Sequence, residues 1–283
     1  MTAVLQVLPL LAALLAAGAG YAVAARQIWA RHGRQALPPA RVACFGLGLL
    51  ALAGALIGPL DDAADERFSL HMVQHILIVV VAAPLLTLGT PITALVLALP
   101  AAIRRRTTTP VLRSAAVRSA LSPTVAVVLF VVVLCGSHVP TIYDAAVANQ
   151  ALHDAEHLVY LCTAMLFWMS VLGGDIGVVR LGYPARLLYI FLAITAMTIV
   201  GVALTMSTHP LYPYYVSAAR AASYSALADQ HTGGAIMWTS GMFTVVPVLA
   251  VVVLAWLAED ERRTVRAENR QQQATLPGGS AHR

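Results

Sequence analysis

The chain contains no lysine: all 18 of its basic residues are arginines. A seven-helix retinal protein needs a Schiff-base lysine and is thereby excluded. Charge of either sign is scarce, at 11% of 283 residues against 59% hydrophobic, which excludes an ordinary soluble domain. Cysteine is nearly missing. Cys44, Cys135 and Cys162 form no CxxC pair, and Cys44 and Cys135 belong at opposite membrane faces, so no disulfide framework is expected. Polar residues are lacking at mid-membrane depth, which argues against the midplane site of a transporter. No internal repeat is visible.

Long apolar runs are abundant. Seven are long enough to cross ~30 Å of hydrocarbon as helices: 4–25, 42–60, 68–88, 121–139, 152–172, 187–206 and 235–257. An eighth, 92–99, lies between Pro91 and Pro100, is too short to span, and either lies at the interface or extends the third. The expected fold is all-α, a polytopic membrane bundle over 1–257, followed by a charged, partly disordered cytoplasmic tail over 258–283. The first run is followed by its basic cluster and has no basic segment before it, which fits a first span rather than a cleaved signal. Cytoplasmic segments collect positive charge. With the N-terminus outside, 16 of the 18 arginines fall inside, and only Arg67 and Arg220 fall outside. The pI of 9.4 is then a topology signal and gives no reason to expect nucleic acid.

In this orientation His32 and His282 are cytoplasmic, whereas the other seven of nine histidines gather at the outer ends of spans or in the adjoining loops. His71 and His75 are i and i+4 and share a helix face, and "LHDAEH" repeats the device with His153 and His157. Asp154 and Glu156 stand beside that pair as candidates to orient an imidazole N–H. Cys135 and His138, at i and i+3, end the fourth run on the same side. Met72 follows His71, and Gln230, Gly234, Met237 and Gly241 form one helical stripe whose glycines admit a close neighbour. Met165, Met169, Met197 and Met242 are read as packing residues. Tyr212, Tyr214, Tyr215 and Tyr224 are read as an interfacial aromatic belt.

Imidazole with thioether and few carboxylates points to a transition metal, and on the oxidising side of a membrane it reads best as copper, Cu(I) above all. His209 and His231 have no clear partner at helical spacing. Two rival readings use the same histidines. One is a b-type cytochrome, in which His75 and His157 face each other across haem. The other is a metal-dependent membrane hydrolase with Glu156 as base.

Three blocks, "PLDDAADERFSLHMVQHILIVVVAAPLLTLGTP", "YDAAVANQALHDAEHLVYLCTAMLFW" and "DQHTGGAIMW", occur in order and resemble the signature blocks of the seven-span caa(3)-type cytochrome c oxidase assembly factors, the CtaG family. The resemblance implies a non-catalytic protein of the bacterial plasma membrane that is needed to make active haem–copper oxidase. Copper would reach it from a periplasmic donor and pass to the buried copper centre of the oxidase catalytic subunit. By motif match it carries over His71, Met72, Gln74 and His75; Asp144, His153, Glu156 and His157; and Asp229, Gln230 and Met237. Cys135 and His138 lie outside the strongest blocks and are added by the ligand argument alone. Asp61, Asp65 and Asp229 stand at the rim, where they can attract cations.

Overall fold

The computed structural model describes residues 2–177, 179 and 181–275; Arg180, His282 and Arg283, expected in cytoplasmic segments, lie outside them. Every regular element among the described residues is helical. We number ten: α1 Thr2–His32, α2 Pro39–Leu56, α3 Pro59–Glu66, α4 Phe68–Ala98, α5 Pro123–Ser137, α6 Pro140–Val147, α7 Gln150–Leu172, α8 Tyr183–Thr205, α9 Pro213–Ala221 and α10 Ala226–Thr275. Six (α1, α2, α4, α7, α8 and α10) are long and apolar enough to cross a membrane, and α5 with α6 makes up to a seventh.

Proline and short polar side chains place the boundaries. Ser122 caps the Val125 N–H ahead of Pro123, and Asn149 accepts from the Ala151 and Leu152 N–H groups. The residue before a proline is disfavoured in the α region. Val139, before Pro140, is accordingly extended, so α5 stops at Ser137 and α6 leaves at 80°. The expected fourth span, 121–139, is therefore corrected: α5 has 15 residues, about 22 Å at 1.5 Å per residue, and is completed by a bent second piece.

Inside α4 the turn widens to π geometry at Leu77–Ala82. Pro84 offers the Val80 carbonyl no N–H and crowds it, so the preceding turn opens. The same relation recurs at Arg104–Thr108 before Pro110. The Trp168 indole N–H of α7 donates to the Val79 carbonyl within the widened turn (2.8 Å). The eighth apolar run extends the third span, after a break at Thr90 with φ of 48°.

Helix α4 lies at the centre, against α2, α7 and α10, while α8 packs along α10. A Cβ on Gly234 would stand 2.7 Å from the Gly201 carbonyl oxygen, and one on Gly201 would stand 2.8 Å from that of Gly234, so α8 and α10 cross backbone to backbone. Helix α10 runs unbroken for 50 residues, about 75 Å. The boundary expected at 257 thus falls inside one helix, and 258–275 is helical; 276–283 lies outside the described residues.

The two ends of α4 differ. Beside its C-terminal segment, the buried Asp175 accepts from the Thr93 N–H, the Thr93 hydroxyl (2.6 Å), the Ile92 N–H (3.1 Å) and its neighbour Ile176 N–H (3.1 Å). Arg41 donates to Thr90 Oγ1 (3.0 Å), and the Tyr21 hydroxyl donates to the Gly89 carbonyl (2.6 Å). The histidines occupy the other end.

Candidate metal centre

Positions 71 and 75 lie one and two turns into α4, and 153 and 157 lie in the first two turns of α7. Because i and i+4 share a face, each helix presents a pair of imidazoles to the other. One ring nitrogen from each of His71, His75, His153 and His157 falls within 4.8 Å of the other three, and all four residues are buried. His71 Nε2 is 2.9 Å from His75 Nε2. Ring centroids are 4.3 Å apart within each pair, and 5.0 Å (His71–His153) and 5.3 Å (His75–His157) between them.

Proton placement follows from one neighbour. The Tyr215 oxygen is 2.9 Å from the Ala64 carbonyl and 2.9 Å from His71 Nδ1. A carbonyl only accepts, so the single phenolic hydrogen goes to Ala64 and His71 Nδ1–H donates to the tyrosine oxygen. His71 Nε2 then carries a lone pair toward the cluster. His153 Nε2, His157 Nε2 and His75 Nδ1 are buried with no hydrogen-bond partner. A buried polar atom left unpaired costs about 1–3 kcal/mol, so the three nitrogens weigh against stability in the ion-free chain.

The polar residues around the histidines hold helices together. Gln74 Nε2 donates to the Ala55 carbonyl (2.9 Å) and to Asp61 Oδ1 (2.7 Å), tying α4 to the end of α2 and to α3. Burial pushes the Asp61 carboxyl up to about 6, and burial raises Asp65 as well. The Asp229 carboxylate of α10 accepts from the Ser69 hydroxyl and N–H, capping the first turn of α4, so it acts as a cross-helix cap and not as a free rim charge. Gln230 accepts from the Leu211 N–H (2.7 Å) and donates to the Leu204 carbonyl (3.3 Å), fastening the loop after α8. Asp144 accepts from the Tyr214 N–H at the start of α9 (3.3 Å).

Several expectations are corrected. Asp154 is exposed and accepts from Gln150 one turn earlier, and both Glu156 oxygens are buried without a partner, so neither acid orients an imidazole. Tyr215 has that role, and it was not legible because α9 is distant in sequence. Tyr212 and Tyr215 are buried beside the cluster rather than in an interfacial belt, and with Phe68 and Tyr143 they form an aromatic wall: Phe68 stacks on Tyr212 at 4.9 Å, and Tyr143 lies 5.3 Å from His71. Helix α9 touches both α3 and α6, and the three contribute Tyr215, Ala64 and Tyr143 to this wall. Cys135 does not join the histidines. The buried stripe of α5 is Ala126, Phe130, Leu134 and Ser137, and Cys135, one residue or about 100° from Leu134, is exposed. His138 is buried at the end of α5, outside the four-nitrogen group. Met72 and Met237 are buried and share a small cavity with His75 and His138. His231 bonds the Ser207 carbonyl (2.8 Å), and His209 is exposed, so both stand apart.

Four imidazoles converging from two helices can bind a transition-metal ion. Tetrahedral ligands at 2.0–2.1 Å from zinc stand about 3.3 Å apart, so a group spread over as much as 4.8 Å is looser than a closed structural site.

Residues 19–259 match the family described as cytochrome c oxidase caa3 assembly factor. The chain is also similar to three uncharacterized mycobacterial proteins. It is 28% identical to those of Mycobacterium bovis and Mycobacterium tuberculosis over 238 residues, which is 82% of this chain and 36% of theirs. It is 27% identical to that of Mycobacterium leprae over 245 residues, 84% of this chain and 37% of the relative. The chain thus spans little more than a third of the length of these curated relatives. No solved structure gives a significant match. With the family match extending over all the candidate spans from α2 to α8 and most of the chain, the protein belongs to the cytochrome c oxidase caa3 assembly factor family.

Proposed function

We propose that the protein assists assembly of haem–copper cytochrome c oxidase by holding copper as cargo at its histidine end and releasing it toward the catalytic subunit. The observation that carries this reading is the convergence of His71, His75, His153 and His157, with the His153 and His157 Nε2 atoms buried and unpaired. Neutral imidazole donors suit copper, and the lone pair on His71 Nε2 is held in place by Tyr215. The histidine end faces the outer compartment of a bacterial plasma membrane, in keeping with the arginine distribution. The role is non-catalytic: a loose all-nitrogen group can exchange ligands one at a time with a donor or acceptor protein.

An ion is favoured over haem by space. The cavity beside the cluster is about 20 Å³, whereas a large organic cofactor needs a pocket on the order of 300–1,000 Å³. An ion held for transfer is favoured over one used for hydrolysis because Glu156 bonds no imidazole and lines a separate groove between α5, α6 and α7.

The test is to replace His153 and His157 by alanine in the producing cell and to measure haem and copper in the isolated oxidase. The expected enzyme is assembled, haem-loaded and copper-poor, and is partly restored by added copper through mass action. Haem-deficient oxidase with normal copper would overturn the reading, as would a Soret band in the purified chain.

A further inference from the structure

The histidine cluster leaves one buried ligand-type group unused. His138 Nδ1 lies 2.7 Å from the Leu134 carbonyl one turn earlier. That oxygen can only accept, so Nδ1 carries the hydrogen and Nε2 the lone pair. His138 Nε2 is buried and has no partner. The bend after Ser137 ends α5 at this residue and turns its imidazole back onto its own helix.

The surroundings of His138 are soft rather than merely apolar. It lines the 20 Å³ cavity together with Met72 from α4, Met197 from α8 and Met237 from α10. Their exposures are 1%, 6% and 3%, so three methionines from three helices are buried around one small cavity. His75 lines the same cavity while belonging to the four-histidine group, so the two places share a wall. The volume suffices for one water or one ion, since a single site needs about 10–15 Å³. Met197 lies outside the motif blocks, and only the packing of α8 brings it here. A core built for packing alone rarely leaves a lone-pair nitrogen unpaired, and this nitrogen belongs to a residue that lines the cavity with the methionines.

We propose a second cation station at this cavity, specific for a soft monovalent ion of the Cu(I) class and formed by His138 Nε2 and the thioethers of Met72, Met197 and Met237. Thioether donors select Cu(I) over divalent ions, whereas the imidazole group accepts either. His75 stands between the two, so an ion can pass from one station to the next by exchanging ligands, without change of oxidation state. This inference rests on the copper-carrying reading above and adds a second, chemically distinct site to it.

The test uses the full chain in detergent, loaded with Cu(I) under reductant, with copper counted and the coordination shell read by X-ray absorption. Two equivalents are expected, with nitrogen and sulfur scatterers. M72L/M197L/M237L, near volume-conserving swaps, should retain one equivalent with nitrogen only. H153A/H157A should retain one equivalent with sulfur in its shell. If the triple variant does not fold, M197L/M237L should still lose sulfur scattering and weaken the second equivalent at least tenfold. A wild type holding one equivalent with nitrogen alone would overturn the second station and leave the first standing, as would Met→Leu variants that keep both equivalents unchanged. A wild type that binds no copper would overturn both.

Discussion

The two ends of α4 bury polar groups in opposite ways. Around Asp175, the Thr93 and Ile92 donors are satisfied by one carboxylate, and Arg41 and Tyr21 close the neighbouring Thr90 and Gly89. Around His71, four imidazoles from two helices meet and leave three ring nitrogens unpaired. The first arrangement is complete without any visitor and fixes the break at Thr90. The second leaves buried nitrogens unpaired in the ion-free chain, and under the proposed function a bound ion would satisfy them. The two ends therefore differ in their hydrogen-bond accounts, with donors closed by a carboxylate at one and ring nitrogens left open at the other, and the proposed function assigns that difference to copper binding.

Substitution at each end should separate these roles. The largest effect is expected for H153A/H157A, which should weaken copper binding at the four-histidine group by more than about 100-fold, beyond the loss caused by removing a supporting partner. The melting temperature of the ion-free chain should change little, because unpaired nitrogens are being removed; equal copper affinity in titrations of variant and wild type would break the comparison. Next comes D175A, which orphans the Thr93 and Ile92 donors and should lower unfolding stability by about 3 kcal/mol. Copper bound per folded molecule should stay the same, measured by metal analysis of the monodisperse fraction; copper loss there would show that the two ends are coupled. Y215F should be smaller still: it removes the acceptor of His71 Nδ1–H and should weaken copper binding about 10-fold. Full affinity in Y215F would return the tyrosine to a packing role. The smallest effect is expected for C135S, which should leave both copper content and stability within error, since its thiol is exposed away from the buried stripe. A measurable drop in copper would place that thiol in the transfer path.

Much of the candidate site, the four histidines brought together, was legible because it is local. His71 with His75 and His153 with His157 are i and i+4, and helix geometry alone puts each pair on one face. The accompanying motif residues were legible as important but not as to role. Gln74, Asp144, Asp229 and Gln230 each bond to an element more than ten residues away, so spacing along the chain is silent about their partners. For the same reason the sequence assigns Tyr215 only to an aromatic belt and Met197 only to packing, and it does not show the Asp175 network. Apolar length alone carries the fourth span to 139, past the stop that Pro140 imposes through Val139.

The sequence by itself determined the helical membrane class, the candidate spans within a few residues, and the histidine pairs, because apolar length and the 3.6-residue repeat are properties of a single segment. Only the tertiary structure decided that the two pairs face each other and that Tyr215 sets the His71 tautomer. It likewise decided that Cys135 turns outward while His138 and three methionines enclose one cavity. Those outcomes depend on how α4, α5, α7, α8, α9 and α10 pack, and packing is settled by contacts between segments far apart in the chain, such as the Gly201–Gly234 crossing and the Asp229 cap on Ser69.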